Sequence, residues 1–97
     1  MNLVVKIEVI GVSPGCVNCK RAEDNARKVA EKLKKEGIEV TVEKVDIMSP
    51  GLIDKYGLLM SPSMAVNGVL RVNGKVPYEG VVERFVKEAL TRERQLG

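Results

Sequence analysis

A chain of 97 residues that is 44% apolar can bury a modest core and fold as one domain, with little room for a second. Its 16 basic and 13 acidic residues are interspersed, giving a net charge of +3. With two Tyr, one Phe and no Trp it lacks the basic stripe and stacking aromatics of a nucleic-acid surface, so no nucleic-acid partner is expected. No apolar run approaches the length of a membrane span, and the N-terminus lacks the pattern of a secretory signal, so no membrane partner and a cytoplasmic location are expected. Two cysteines in such a reducing compartment make a poor structural staple, which points to redox chemistry or metal.

In chain order, residues 3–12 read as a central strand. Leu3, Val5, Ile7 and Val9 alternate onto one face, while Val4 and Ile10 keep the face of Lys6 and Glu8 partly apolar. Glu8 is a possible proton carrier, but reads more simply as a solvated strand glutamate. Gly11 and Ser13-Pro14-Gly15 break the alternation and form a loop that presents Cys16. An amphipathic run from Lys20 to Gly37 places Ala22, Ala26, Val29, Ala30 and Leu33 at helical spacing, with Gly37 as a C′ residue and Lys34-Lys35 as a solvated helix end. Ile38, Val40 and Val42 then alternate as a second strand. The phase shifts to Val45 and Ile47, so a bulge or the strand's end is expected near Lys44. Strand, helix and strand in this order imply a parallel pair.

Ser49-Pro50 signals the start of a short helix through Leu52, Ile53 and Tyr56, with Ser49 as cap and Gly57 as terminator. After Ser61-Pro62-Ser63, a short strand over Met64, Ala65 and Val66 turns at Asn67-Gly68 and returns antiparallel through Val69 to Val72. A closing amphipathic helix runs from about Tyr78 to Thr91, its apolar face made of Val81, Val82, Phe85, Val86, Ala89 and Leu90. Residues 92–97 read as a frayed tail of the single domain 1–97. Met48, Met60 and Met64 read as packing residues rather than soft-metal ligands.

The stretch that carries chemistry is Cys16-Val17-Asn18-Cys19, at the handover from strand to helix. Unpaired N–H groups and the positive end of the peptide dipoles at a helix start favour a thiolate at Cys16. One turn on, Cys19 is near enough to close a small disulfide ring, so the pair can exchange two electrons unaided. Lys20 and Arg21 add a screened positive charge to the first turn.

This order of elements, with Cys-X-X-Cys at the first strand-to-helix junction, resembles the thioredoxin fold in its minimal, glutaredoxin-sized form. In particular it resembles the small thioredoxin-like redox-active disulfide proteins of archaea and bacteria. The resemblance spans Val4 to Leu90. It rests on Gly15 to Lys20, Val45-Asp46-Ile47, Lys55-Tyr56-Gly57, Ser61-Pro62-Ser63, Asn67-Gly68 and Gly74. It implies an α/β fold with a four-stranded mixed sheet (strand-helix-strand-helix-strand-strand-helix) and helices on both faces. It further implies thiol–disulfide oxidoreductase activity on protein disulfides, with Cys16 attacking and Cys19 resolving. Pro62 matches the family's cis-proline facing the disulfide, Ser61 would offer backbone hydrogen bonds to an extended substrate, and Gly74 would form the opposite wall of that groove. The implied electron donor is a flavin-dependent thioredoxin reductase; no bound cofactor is needed, and a monomer is expected.

The chain also departs from the family pattern. Pro14-Gly15 replaces the tryptophan before the first cysteine, and Val-Asn stands between the cysteines, which leaves the reduction potential open. The glutaredoxin tyrosine and a glutathione-carboxylate site are missing. The alternative reading is a Cu(I) or Zn binding module using the Cys-X-X-Cys loop. Zinc would need further ligands in a chain without His, and small heavy-metal-associated domains finish on a strand where this chain is expected to finish on a helix.

Overall fold

The computed structural model describes residues 4–12 and 16–96. Leu3 of the expected first strand, the loop Ser13, Pro14 and Gly15, and Gly97 lie outside the described residues. Seven elements follow one another: β1 (Val4–Gly11), α1 (Val17–Lys34), β2 (Glu39–Asp46), α2 (Leu52–Tyr56), β3 (Ser63–Val66), β4 (Val69–Asn73) and α3 (Glu79–Leu96). They build a four-stranded mixed sheet in the order β2-β1-β3-β4, with β1 and β2 parallel and the other neighbours antiparallel.

One face of the sheet carries the main core. Val5, Ile7 and Val9 of β1 meet Ala22, Ala26, Val29 and Leu33 of α1 and Val82, Phe85, Val86 and Leu90 of α3. The alanines let α1 lie close to β1, and Asn25 ties it to the segment before α3 by donating to the Pro77 carbonyl at 2.9 Å. The other face is thinner. There the side chain of Glu8 accepts a hydrogen bond of 2.7 Å from the hydroxyl of Tyr56 on α2, so helices cover both faces.

Local signals set most of the boundaries. The N–H groups of Gly37 and Ile38 reach back to the carbonyls of Lys34 and Leu33, at 3.1 and 3.0 Å, which places Gly37 (φ 84°) at C′ of a Schellman ending to α1. Asn67 (φ 49°) and Gly68 (φ 79°) both take the left-handed conformation a two-residue hairpin requires.

Three expectations need correction. β2 pairs with β1 in unbroken register from Glu39 to Asp46, without a bulge. Its apparent change of phase arises because Lys44 holds the sheet position after Val40 and Val42 and reaches Glu23 of α1 at 3.8 Å. The bulge is instead in the hairpin, where the register shifts between Met64 and Ala65 and Arg71 becomes the extra residue. That kink carries Arg71 across the Phe85 ring, 4.5 Å from its centroid, to pair with Glu88. Next, α2 begins at Leu52 behind Gly51 (φ 87°), which has no side-chain cap. Ser49 contributes its backbone carbonyl to Leu52 rather than its hydroxyl as a cap. Finally, α3 continues to Leu96 where the expected helix stops at Thr91. Residues 92–96 contain no Gly or Pro and consist of good helix formers, so propensity sustains the last turns beyond the apolar stripe.

Candidate active site

Cys16 is the N-cap of α1. Its backbone is extended (φ −93°, ψ 105°), and its carbonyl accepts the Lys20 N–H at 3.1 Å. Its Sγ accepts the backbone N–H of Cys19 at 3.1 Å, taking the place a serine or aspartate oxygen usually fills. Sulfur therefore stands where unpaired amides and the helix dipole favour negative charge. Cys19, one turn on, is 8% exposed while Cys16 is half-buried. The two are joined in a disulfide with Cα atoms 5.2 Å apart.

Room for Cys19 is made by Gly11, the last residue of β1. A Cβ on Gly11 would run into Cys19 Sγ and lie 3.1 Å from both Cys19 Cβ and Ser61 Oγ. In the sequence this glycine reads only as a break in alternation, because the contact that demands it comes from elements distant in the chain.

The third wall is the segment before β3. The Ser61–Pro62 peptide is cis, and Pro62 is buried. Ser61, expected to act through its backbone, reaches the sulfurs with its side chain: Oγ lies 2.9 Å from Cys19 Sγ and 3.7 Å from Cys16 Sγ, and accepts the Val12 N–H at 3.2 Å. Asn73, at the end of β4, clasps this segment. Its Oδ1 accepts from the Met60 N–H (2.7 Å) and from Ser63 Oγ (3.1 Å), and its Nδ2 donates to the Leu58 carbonyl (3.1 Å). Ser63 Oγ also contacts the Met60 carbonyl. Gly74 (φ 83°) donates its N–H to the Pro62 carbonyl at 2.8 Å, and a Cβ there would sit 3.1 Å from that of Met60. Ser61, Pro62 and Gly74 are thus brought into one hydrogen-bonded segment, of which Ser61 touches sulfur.

Beside the disulfide is an open depression of about 690 Å³, floored by Val9, Gly11 and Cys19 and rimmed by Val17, Lys20, Arg21, Lys44, Val45 and Asp46. Val12 and Val17 leave apolar surface exposed next to Cys16. Lys20, read from the sequence as positive charge for the first turn, is engaged with Asp24 at 2.9 Å, and that carboxylate raises the pKa of its ammonium. Glu23 is the residue sequence reading missed. It is 7% exposed and held by Arg27 at 2.8 Å and Lys44 at 3.8 Å. The signal was present: position 23 falls among Cys19, Ala22 and Ala26 on the inward face of α1. Glu8 is bonded to Tyr56 on the opposite face of the sheet rather than solvated. Burial of the phenol and then its bond to Glu8 push the pKa of Tyr56 well above the ordinary value.

The metal-binding alternative finds no support. Among the described residues no third His, Cys, Asp or Glu joins the two cysteines in a cluster. Nor is any helix among the described residues long and apolar enough to cross a membrane.

Comparisons with known proteins agree with this geometry. The family model described as "Thioredoxin domain" matches residues 5–87. A protein of Methanothermobacter marburgensis named "Probable Thioredoxin" is 42% identical over 89 residues, covering 89% of this chain and 98% of that one. A "Thioredoxin" of Methanothermobacter thermautotrophicus is 34% identical over 83 residues, covering 86% and 99%. The solved structure of oxidised thioredoxin from Plasmodium falciparum superposes with a TM-score of 0.59 at 16% identity, covering 89% of this chain and 81% of that chain. With a Cys-X-X-Cys disulfide at the start of α1, a cis X-Pro peptide beside it and these relatives over nearly its whole length, the chain belongs to the thioredoxin-domain family.

Proposed function

We propose that this thiol–disulfide oxidoreductase reduces protein disulfides, with Cys16 as the attacking sulfur and Cys19 as the resolving one. The observation that carries the assignment is the asymmetry of the pair. Cys16 is half-buried at a helix N-cap with an amide aimed at its sulfur, whereas Cys19 lies behind it at 8% exposure. Cys16 thiolate attacks one sulfur of a substrate disulfide, forming a mixed disulfide and releasing the other sulfur as a thiolate, which takes a proton from water. Cys19 thiolate then attacks Cys16 Sγ. The Cys16–Cys19 bond forms as the bond from Cys16 to substrate breaks, leaving the substrate reduced and the protein oxidised.

In this reading an extended substrate segment lies along Ser61, Pro62 and Gly74, where the exposed Met60 and Leu58 offer apolar contact. Two electrons from a flavin-dependent thioredoxin reductase restore the dithiol, and the protein works as a one-domain monomer in the cytoplasm. The test is insulin reduction with dithiothreitol as electron source. Wild-type protein turns over, Cys16→Ser abolishes turnover, and Cys19→Ser accumulates the mixed disulfide on Cys16. Accumulation of the mixed disulfide on Cys19 in the Cys16→Ser variant, with none on Cys16 in Cys19→Ser, would reverse the two roles.

A further inference from the structure

Ser61 is the side chain that the roles above leave without a task, although it is hydrogen-bonded to sulfur. In the disulfide neither sulfur carries a proton, so the contact at 2.9 Å to Cys19 Sγ is a donation from the serine hydroxyl. That oxygen already accepts the Val12 N–H, which orients its one proton away from β1 and toward the sulfurs. Cys16 has its own donor in the Cys19 amide. Cys19 is more buried, and burial without a donor holds a thiol in its neutral, unreactive form.

We infer that the Ser61 hydroxyl is a catalytic group of the resolving step, stabilising the Cys19 thiolate by hydrogen bonding. The inference rests on the proposed roles of Cys16 and Cys19. In the forward direction the hydroxyl favours the ionised Cys19 that attacks Cys16 Sγ. In reverse, when a thiolate attacks Cys16 of the disulfide, it favours departure of Cys19 as a thiolate and so directs attack to Cys16. Ser61 keeps its proton throughout. Other charged groups near Cys19 are Lys20, Arg21 and Glu23 on α1 and Lys44 and Asp46 on β2. Lys20 is paired with Asp24, and Glu23 is held by Arg27 and Lys44.

The test uses the reduced protein and an aromatic disulfide, dithiobis-nitrobenzoate, which releases one coloured thiolate when Cys16 attacks and a second when Cys19 resolves. Ser61→Ala is expected to raise the pH midpoint of the second phase by about one unit. The ionised fraction then falls tenfold at neutral pH, while the more basic thiolate is intrinsically about threefold more nucleophilic. The variant therefore resolves about threefold slower than wild type at neutral pH and about threefold faster above both midpoints. Ser61→Thr, which keeps the hydroxyl, restores the wild-type midpoint. A displaced Cys19 would be slow at every pH. An unchanged midpoint in Ser61→Ala, or slowing without a crossover, overturns the inference while leaving the cysteine roles standing. If wild-type protein gave no second phase, the cysteine roles themselves would fail and the inference with them. Titrating Cys19 by thiolate absorbance in the Cys16→Ser background reads the same shift without exchange.

Discussion

Gly11 shapes the site by having no side chain. It ends β1 beneath Cys19, and both the Cys19 sulfur and the Ser61 hydroxyl occupy the space its Cβ would need. Neighbours that include a covalently held sulfur and a hydroxyl bonded on two sides cannot simply swing away. Gly11→Ala is therefore expected to cost about 1–3 kcal/mol, as overpacking in a close-packed region does. It should also slow dithiothreitol-dependent insulin reduction, because Cys19 and Ser61 must move together. Urea unfolding checks the first outcome and the turnover assay the second. Unchanged values in both would mean that the helix start has slack that the geometry does not show.

Among the elements, β4 has the least regular pairing and two separate tasks. Its bulge at Arg71 directs a cation over Phe85 and onto Glu88 of α3, while its last residue, Asn73, holds the segment that carries Ser61 and Pro62. Three hydrogen bonds from one amide side chain fix residues 58–63, a stretch with no ladder of its own before β3. Asn73→Ala is expected to destabilise the protein by about 1–2 kcal/mol and to speed exchange of the Met60 amide selectively, while amides of β1 keep their protection. Hydrogen exchange followed by NMR distinguishes this local release from general loosening.

For the whole molecule, the larger core lies on one face of the sheet, and α1 and α3 meet above it. An ion-pair cluster marks their junction: Glu83 of α3 accepts from Lys32 of α1 at 2.7 Å and from Lys87 of its own helix at 3.2 Å. These lysines hold the Glu83 carboxyl below its ordinary pKa of 4.5. A carboxylate with a depressed folded-state pKa adds stability that is complete above the ordinary value and is lost as pH falls through the lower one. Wild-type protein should accordingly exceed Glu83→Gln in urea midpoint at neutral pH, with the gap closing below about pH 4.5 and narrowing in high salt. A gap that persisted in acid would assign the effect to packing rather than to charge.

What the amino-acid sequence determined by itself was everything encoded in local chemistry. The periodicities of Val5, Ile7 and Val9, and of Ala22, Ala26, Val29 and Leu33, specified the sheet face and the helix that cover each other. Gly37 specified the end of α1, Asn67-Gly68 the hairpin, and the spacing of Cys16 and Cys19 a pair of sulfurs within bridging reach. Tertiary structure decided whatever depended on a partner far along the chain. Lys44 looked like an interruption until Glu23 of α1 was opposite it, Gly11 looked like a break until Cys19 lay over it, and Ser61 acquired a sulfur only when β3 lined up beside β1. Backbone preference and hydrophobic period act over a few residues, so one stretch of sequence reveals them. The proton available to Cys19 belongs to a hydroxyl 42 positions away, and only the packed sheet brings the two together.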